Sequence, residues 1–248
     1  MVLPVGRHAL LVELPTAEAA EAFHAELLRR SADGSLTERA GGVREIVPGA
    51  RTVLLDGLPE PHRLAGELAR WRIPPLSRGS GPAIELPVRY DGPDLADVAA
   101  RWGVTPQEAA RLHAATEFRV AFCGFAPGFG YLTGLPEEYA VPRRSDPRTR
   151  VPAGSVGLAG AYTGVYPRSS PGGWQLIGTV VRTALWDPQR EPAALLTPGT
   201  RVRFMPEPAW AGEAGEAEEP EDQEQPAGSD GPRGPGGAAE PAPSGDEP

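Results

Sequence analysis

The sequence predicts an α+β protein. A small ferredoxin-like α/β N-terminal domain with its linker spans 1–82, a β-barrel domain spans 83–207, and a disordered acidic tail spans 208–248. Three observations predict this. Apolar runs and helical periodicities follow a β-α-β-β-α order over about residues 5–80, the beginning of a split βαβ unit. Short β-like runs separated by Gly/Pro loops fill the second part, the pattern of a closed or rolled barrel. From Ala209 to Pro248 large apolar residues nearly vanish, so the segment cannot bury enough surface to offset chain entropy.

The N-terminal elements follow from local chemistry. His8–Leu14 is an apolar run stopped by Pro15 and reads as a strand. Thr16–Arg30 is a helix, with Thr16 as N-cap and Ala19, Ala20, Phe23 and Leu27 at helical spacing. Val43–Val47 and Arg51–Leu55 are strands around the turn dipeptide Pro48-Gly49. Pro61–Trp71 is a second helix with Leu64, Leu68 and Trp71 on one face. Ile73-Pro74-Pro75 ends it, and Leu76–Pro82 is a linker.

The second part opens with the strand Ile84–Tyr90. A short helix follows over Asp94–Trp102, with Asp94 as N-cap, and Gly103 stops it. Thr105-Pro106-Gln107-Glu108 is a capping box with proline at the first helical position, starting a helix that runs to about Ala115. Phe118–Phe122, Val156–Ala159, Trp174–Trp186 and Thr200–Phe204 are the β-like runs of the barrel.

Charge and composition exclude several functions. The net charge is −9, but 213–248 holds 11 of the 33 acids and only Arg233, leaving 23 arginines against 22 acids, or +1, elsewhere. There is no lysine, so a Walker A loop, a Schiff-base lysine and a kinase strand lysine are all excluded. No apolar run approaches the ~18 residues of a membrane helix, Met1–His8 lacks a signal-peptide core, and Cys123 is the only cysteine. The expected location is the cytoplasm. No Cys/His/Asp spacing suits a metal, and no basic-aromatic stripe suits nucleic acid.

The stretch Phe125–Gly178 carries the chemistry. In Phe125–Tyr131 three aromatics surround a Pro127-Gly128 turn. They either line an apolar pocket, with the Tyr131 hydroxyl as polar handle, or pack into the barrel. Among Arg143, Arg144, Arg148 and Arg150, the last stands where the chain turns into a strand. It is the arginine best placed to bind a carboxylate, while Arg143 and Arg144 read as a solvated loop paired with Asp146. Pro171-Gly172-Gly173 can bring backbone N–H groups close to an anion, or simply make a tight hairpin, and Gln175 can read an amide. His113, alone in the second part, is a candidate catalytic group or a structural histidine. Cys123 reads as a buried small residue.

FAPGFGYL (125–132), PRRSDPRTRVPAGSVGLAG (142–160) and YTGVYPRSSPGGWQLIG (162–178) resemble the allophanate hydrolase subunit 1, or KipI-type carboxyltransferase subdomain C/D, family. LPVRYDGPDL (86–95), RLHAATEF (111–118) and LLTPGTRVRFMP (195–206) extend the resemblance, which covers about residues 3–207. The resemblance implies a cyclophilin-like barrel. For a stand-alone chain it implies the B component of an ATP-dependent 5-oxoprolinase, which opens the lactam of 5-oxo-L-proline to L-glutamate. The expected partners are a cyclophilin-like C component of the allophanate hydrolase subunit 2 type and a separate A component. ATP is bound by the complex rather than by a P-loop here. Family alternatives are inhibition of a sensor histidine kinase and a place in a urea or allophanate amidolyase. For the lactam substrate, Arg150 and the Gly172 and Gly173 amides suit the carboxylate. Gln175, Ser155 or His113 suit the lactam, and Phe129 and Tyr131 suit the ring.

Overall fold

Val53 and Leu55 alternate with less buried neighbours along β4 (Thr52–Asp56), so one face of the first sheet turns inward. The computed structural model describes residues 1–36, 41–76 and 81–207. The sheet also contains β1 (Val2–Val5), β2 (Ala9–Glu13) and β3 (Glu45–Pro48), in the order β1-β2-β4-β3 with every neighbour antiparallel. Its buried face packs on α1 (Ala17–Ala32) and α2 (Pro61–Leu68) through Leu10, Val12, Phe23, Leu27, Leu64 and Leu68. The Thr16 hydroxyl accepts the Ala19 N–H at 3.1 Å and starts α1 as its sequence requires.

Two details of this N-terminal part differ from the sequence expectation. β1 is an added strand, unread because Pro4 and Gly6 interrupt its apolar pattern; an edge position tolerates a proline that cannot donate. α2 stops at Leu68, and Trp71 leaves the helix to lie 6.0 Å from Phe23, with the Arg30 guanidinium 3.9 Å above its ring. Residues 77–80 of the expected linker and the expected tail at 208–248 lie outside the described residues.

The second part is a closed seven-stranded barrel in the order β10-β7-β6-β13-β5-β12-β9. Its strands are β5 (Ala83–Arg89), β6 (Phe118–Cys123), β7 (Gly130–Thr133), β9 (Ser155–Ala159), β10 (Tyr162–Val165), β12 (Gln175–Val180) and β13 (Arg201–Pro206). The last of these runs parallel to β5, the one parallel pair of the barrel. Outside the barrel, β8 (Arg148–Val151) and β11 (Ser170–Gly172) form a two-stranded ribbon. Helices α3 (Leu95–Trp102) and α4 (Pro106–Ala115) share the barrel core through Val98, Ala99, Ala109 and Ala110. Gly103 ends α3 with φ of 70°, and α4 carries the expected capping box. Among the described residues no helix is long and apolar enough to cross a membrane.

Candidate functional site: an arginine-lined cleft beside an aromatic cluster

The aromatic motif folds as its turn chemistry directs. Phe129 N–H donates to Ala126 O at 2.9 Å across Pro127-Gly128, and Gly128 takes φ of 84°. A β-carbon there would meet Trp186 Cβ at 2.9 Å, so glycine is required by space as well as by φ. Phe129, Tyr166 and Trp174 are buried and meet edge to face, with Phe129 5.3 Å from Tyr166 and 5.4 Å from Trp174. Tyr131 stacks on Phe122 at 4.3 Å. Gly172 lies under the Tyr166 ring, where a side chain would collide with its hydroxyl. These residues make a third core cluster with Val151, Ala159 and Leu176 rather than an open pocket. Phe125 alone projects, 60% exposed at φ of 66°, a conformation that costs a non-glycine residue about 1–2 kcal/mol.

Next to this cluster a cleft of about 700 Å³ is lined by Asp97, Ala100 and Arg101 of α3, by Arg143, Arg144 and Ser145, and by Gln175 at the start of β12. Asp94 organises its wall. Its carboxylate is buried; Oδ1 accepts from Arg144 Nη1 at 2.9 Å and Arg148 Nη2 at 2.7 Å, and Oδ2 accepts the Leu176 N–H at 2.6 Å. The Asp94 N–H returns a bond to Leu176 O at 2.9 Å. Asp94 thus stands at the N-cap of α3, as expected, but its side chain makes no cap hydrogen bond and ties the helix to two distant segments instead. Arg144 bonds this carboxylate and reaches Asp146 only through the backbone oxygen, at 3.4 Å. That departs from the expected pairing with the Asp146 side chain.

The loop carrying Arg143 is pinned on both sides. Gln175 Nε2 donates to Pro142 O at 3.1 Å, and Arg144 N–H donates to Gly173 O at 2.8 Å. Arg143 itself forms no hydrogen bond or ion pair with the described residues; its guanidinium lies 6.0 Å from the Trp174 ring centroid. Arg101 is likewise unpaired among the described residues. With one amide hydrogen committed to Pro142, Gln175 keeps Oε1 and the second Nε2 hydrogen.

The remaining expected site residues lie elsewhere. Arg150 is exposed on the ribbon, its Nε donating to Ser169 Oγ at 3.2 Å, and it does not line the cleft. Ser155 is buried in β9, its carbonyl accepting the Tyr166 N–H at 3.0 Å. His113 has no exposed surface. Its ring lies between Phe118 and Phe204 at 4.8 and 4.7 Å, with Nδ1 2.8 Å from Tyr90 Oη and Nε2 3.4 Å from Thr163 Oγ1. Burial pushes its pKa down to about 3, so it stands as a neutral imidazole inside the barrel, out of a ligand's reach. Burial also pushes the Cys123 thiol up to about 11, and it donates to Leu196 O at 3.1 Å, which suits a packed residue rather than a nucleophile.

A group the sequence did not bring together sits where α1 meets the barrel. Glu21 Oε1 accepts from Thr133 Oγ1 at 2.9 Å, and its Oε2 lies 3.7 Å from Arg119 Nε. Burial holds the Glu21 carboxyl above its usual range and, with Arg119 adding to the effect, the His24 imidazole down to about 4. Both line a cleft of about 220 Å³. Only folding joins residues so far apart in sequence, so no local pattern announces them.

Residues 1–196 match the family described as carboxyltransferase domain, subdomain C and D. The chain is 42% identical over 217 residues to the B subunit of 5-oxoprolinase from Escherichia coli O157:H7, covering 82% of this chain and 94% of that protein. To the B subunit of 5-oxoprolinase from Bacillus subtilis (strain 168) it is 49% identical over 125 residues, 49% of this chain and 52% of that one. Among solved structures, TTHA0988 superposes with a TM-score of 0.64 at 36% identity, covering 84% of this chain but 40% of its own length. The Kluyveromyces lactis urea amidolyase shares the fold, with a TM-score of 0.60 at 21% identity over 83% of this chain and 14% of that one.

Proposed function

The chain belongs to the carboxyltransferase subdomain C and D family, and we propose that within it the protein acts as the B component of an ATP-dependent 5-oxoprolinase. The observation that carries this reading is the 42% identity spanning 94% of the Escherichia coli B component. Similarity of that length supports a shared role rather than a shared domain.

The chemistry of the chain supports a non-autonomous part. A lactam is an unactivated amide; phosphorylation of its carbonyl oxygen by ATP activates the carbon, so that water adds, the ring C–N bond breaks as the nitrogen takes a proton, and the acyl phosphate that results is hydrolysed to the new carboxylate and inorganic phosphate. The sequence has no phosphate-binding lysine, and the cleft holds no histidine or cysteine. Nucleotide and acid–base groups therefore come from the partners, a cyclophilin-like C component and a separate A component, working in the cytoplasm. The finer fold reading belongs with this proposal. The β1-β2-β4-β3 order supports a ferredoxin-like sheet whose outer strand comes from the N-terminal side, and the seven-stranded closure supports a cyclophilin-like barrel.

Reconstitution tests the role. Mixed with the A and C components, the chain is expected to give glutamate from 5-oxo-L-proline only with ATP. Equal turnover when this chain is omitted would overturn the proposal.

A further inference from the structure

We propose that the arginine cleft is the subsite for the carboxylate and the adjacent amide N–H of a compact cyclic amide acid, with Arg143 and Arg101 on the carboxylate and Gln175 Oε1 on the N–H. This rests on the lactam-opening role and assigns it a place in this chain.

Arg143 is the first support. Its two neighbours are held, Pro142 through its carbonyl and Arg144 through both backbone and side chain. The residue between them is thus fixed at the backbone while its guanidinium, 6.0 Å from the Trp174 ring centroid, makes no hydrogen bond or ion pair with the described residues. A guanidinium held this way loses less freedom when it takes a carboxylate than one on a mobile loop. Charge supports it too. Arg144 is already shared with the buried Asp94, so Arg101 and Arg143 remain facing the single acid of the lining, Asp97. Asp97 precedes Arg101 by one helical turn and forms no ion pair with it, so the cleft keeps a net positive field.

Gln175 adds direction. One Nε2 hydrogen is committed to Pro142 O, which fixes the amide and leaves Oε1 as an acceptor beside the second Nε2 hydrogen. An acceptor beside two guanidinium groups fits a molecule that carries an N–H next to a carboxylate, with its carbonyl left facing the open side.

Steady-state kinetics of the reconstituted complex tests the assignment. Arg143→Ala is expected to raise KM for 5-oxo-L-proline at least tenfold with kcat changed less than threefold. Arg143→Lys should recover part of the loss, and Arg168→Ala, which removes an arginine outside the cleft, should leave KM unchanged. The carboxamide analogue should bind the wild type more weakly than the acid, and Arg143→Ala should abolish that preference. Wild-type KM in Arg143→Ala overturns the subsite while leaving the enzymatic role intact. If the wild-type complex makes no glutamate, the role fails instead. Calorimetric titration of the full chain with 5-oxo-L-proline then decides the subsite: saturable binding lost in Arg143→Ala supports it, and binding unaffected by that change, or no binding, overturns it.

Discussion

The aromatic cluster and the arginine cleft stand side by side, with the Arg143 guanidinium of the cleft 6.0 Å from the Trp174 ring of the cluster, yet they are built on opposite principles. Phe129, Tyr166 and Trp174 meet one another at close range and are nearly sealed from water. Arg101 and Arg143 make no hydrogen bond or ion pair with a described residue and line a cleft of about 700 Å³. The conspicuous motif is the packed one. Aromatic rings over glycines are demanding to pack, so their sequence is distinctive whether or not a ligand ever touches them. Cleft-lining arginines look like any surface arginine in sequence until the loop beneath them is seen to be pinned. The motif is packed, and the plainer residues beside it line the cleft with charge.

This contrast can be broken by mutation, beginning with the largest effect. Phe129→Ala removes the ring shared by Phe125, Tyr131, Tyr166 and Trp174, and is expected to cost about 3–5 kcal/mol in denaturant unfolding. A loss under about 1 kcal/mol would mean that the cluster is loose enough to open for a ligand, and the division would fall. Asp94→Asn should cost about 2–3 kcal/mol, because the amide keeps one acceptor but leaves two guanidinium groups without their counter-charge. It should also raise KM in the complex; unchanged stability and KM together would show that the cleft wall does not depend on this clasp.

Acid gives the smallest effect and reports on the interior alone. The His113 pKa falls from 6.5 to about 3 on folding, so the unfolded chain binds the proton more readily between those values. Its contribution to stability is complete above about pH 6.5 and declines as pH falls through that window, by about 1.4 kcal/mol per unit. Unfolding free energies between about pH 7 and 5 should therefore fall less steeply in His113→Gln than in the wild type. Equal slopes would place the ring in contact with water.

What was legible in the sequence was local. Thr16, the Thr105–Glu108 box and Gly103 cap helices through contacts within a few residues, and each stands where expected. Gln175, singled out in the sequence as able to read an amide, lines the cleft. The four-residue strands β7, β8 and β10 and the three-residue β11 were not legible; such short runs owe their conformation to barrel and ribbon partners rather than to propensity. Asp94 was legible as a helix start but not as a clasp, since its partners lie 50 and 54 residues away. His113 could not be told from a catalytic histidine by composition; only the rings of Phe118 and Phe204 around it reveal a core residue.

The position of β13 has a consequence for how the protein is made. This strand, from Arg201 to Pro206, lies between β5 and β6 in the barrel, although it is the last strand of the described chain. During synthesis every other barrel strand leaves the ribosome before it, and until it arrives two open edges face each other across its place. Phe204, which completes the cage around His113, arrives with it. Closure is therefore a late event, and a nascent chain stalled before residue 201 presents unpaired edges that a chaperone can hold or another chain can capture.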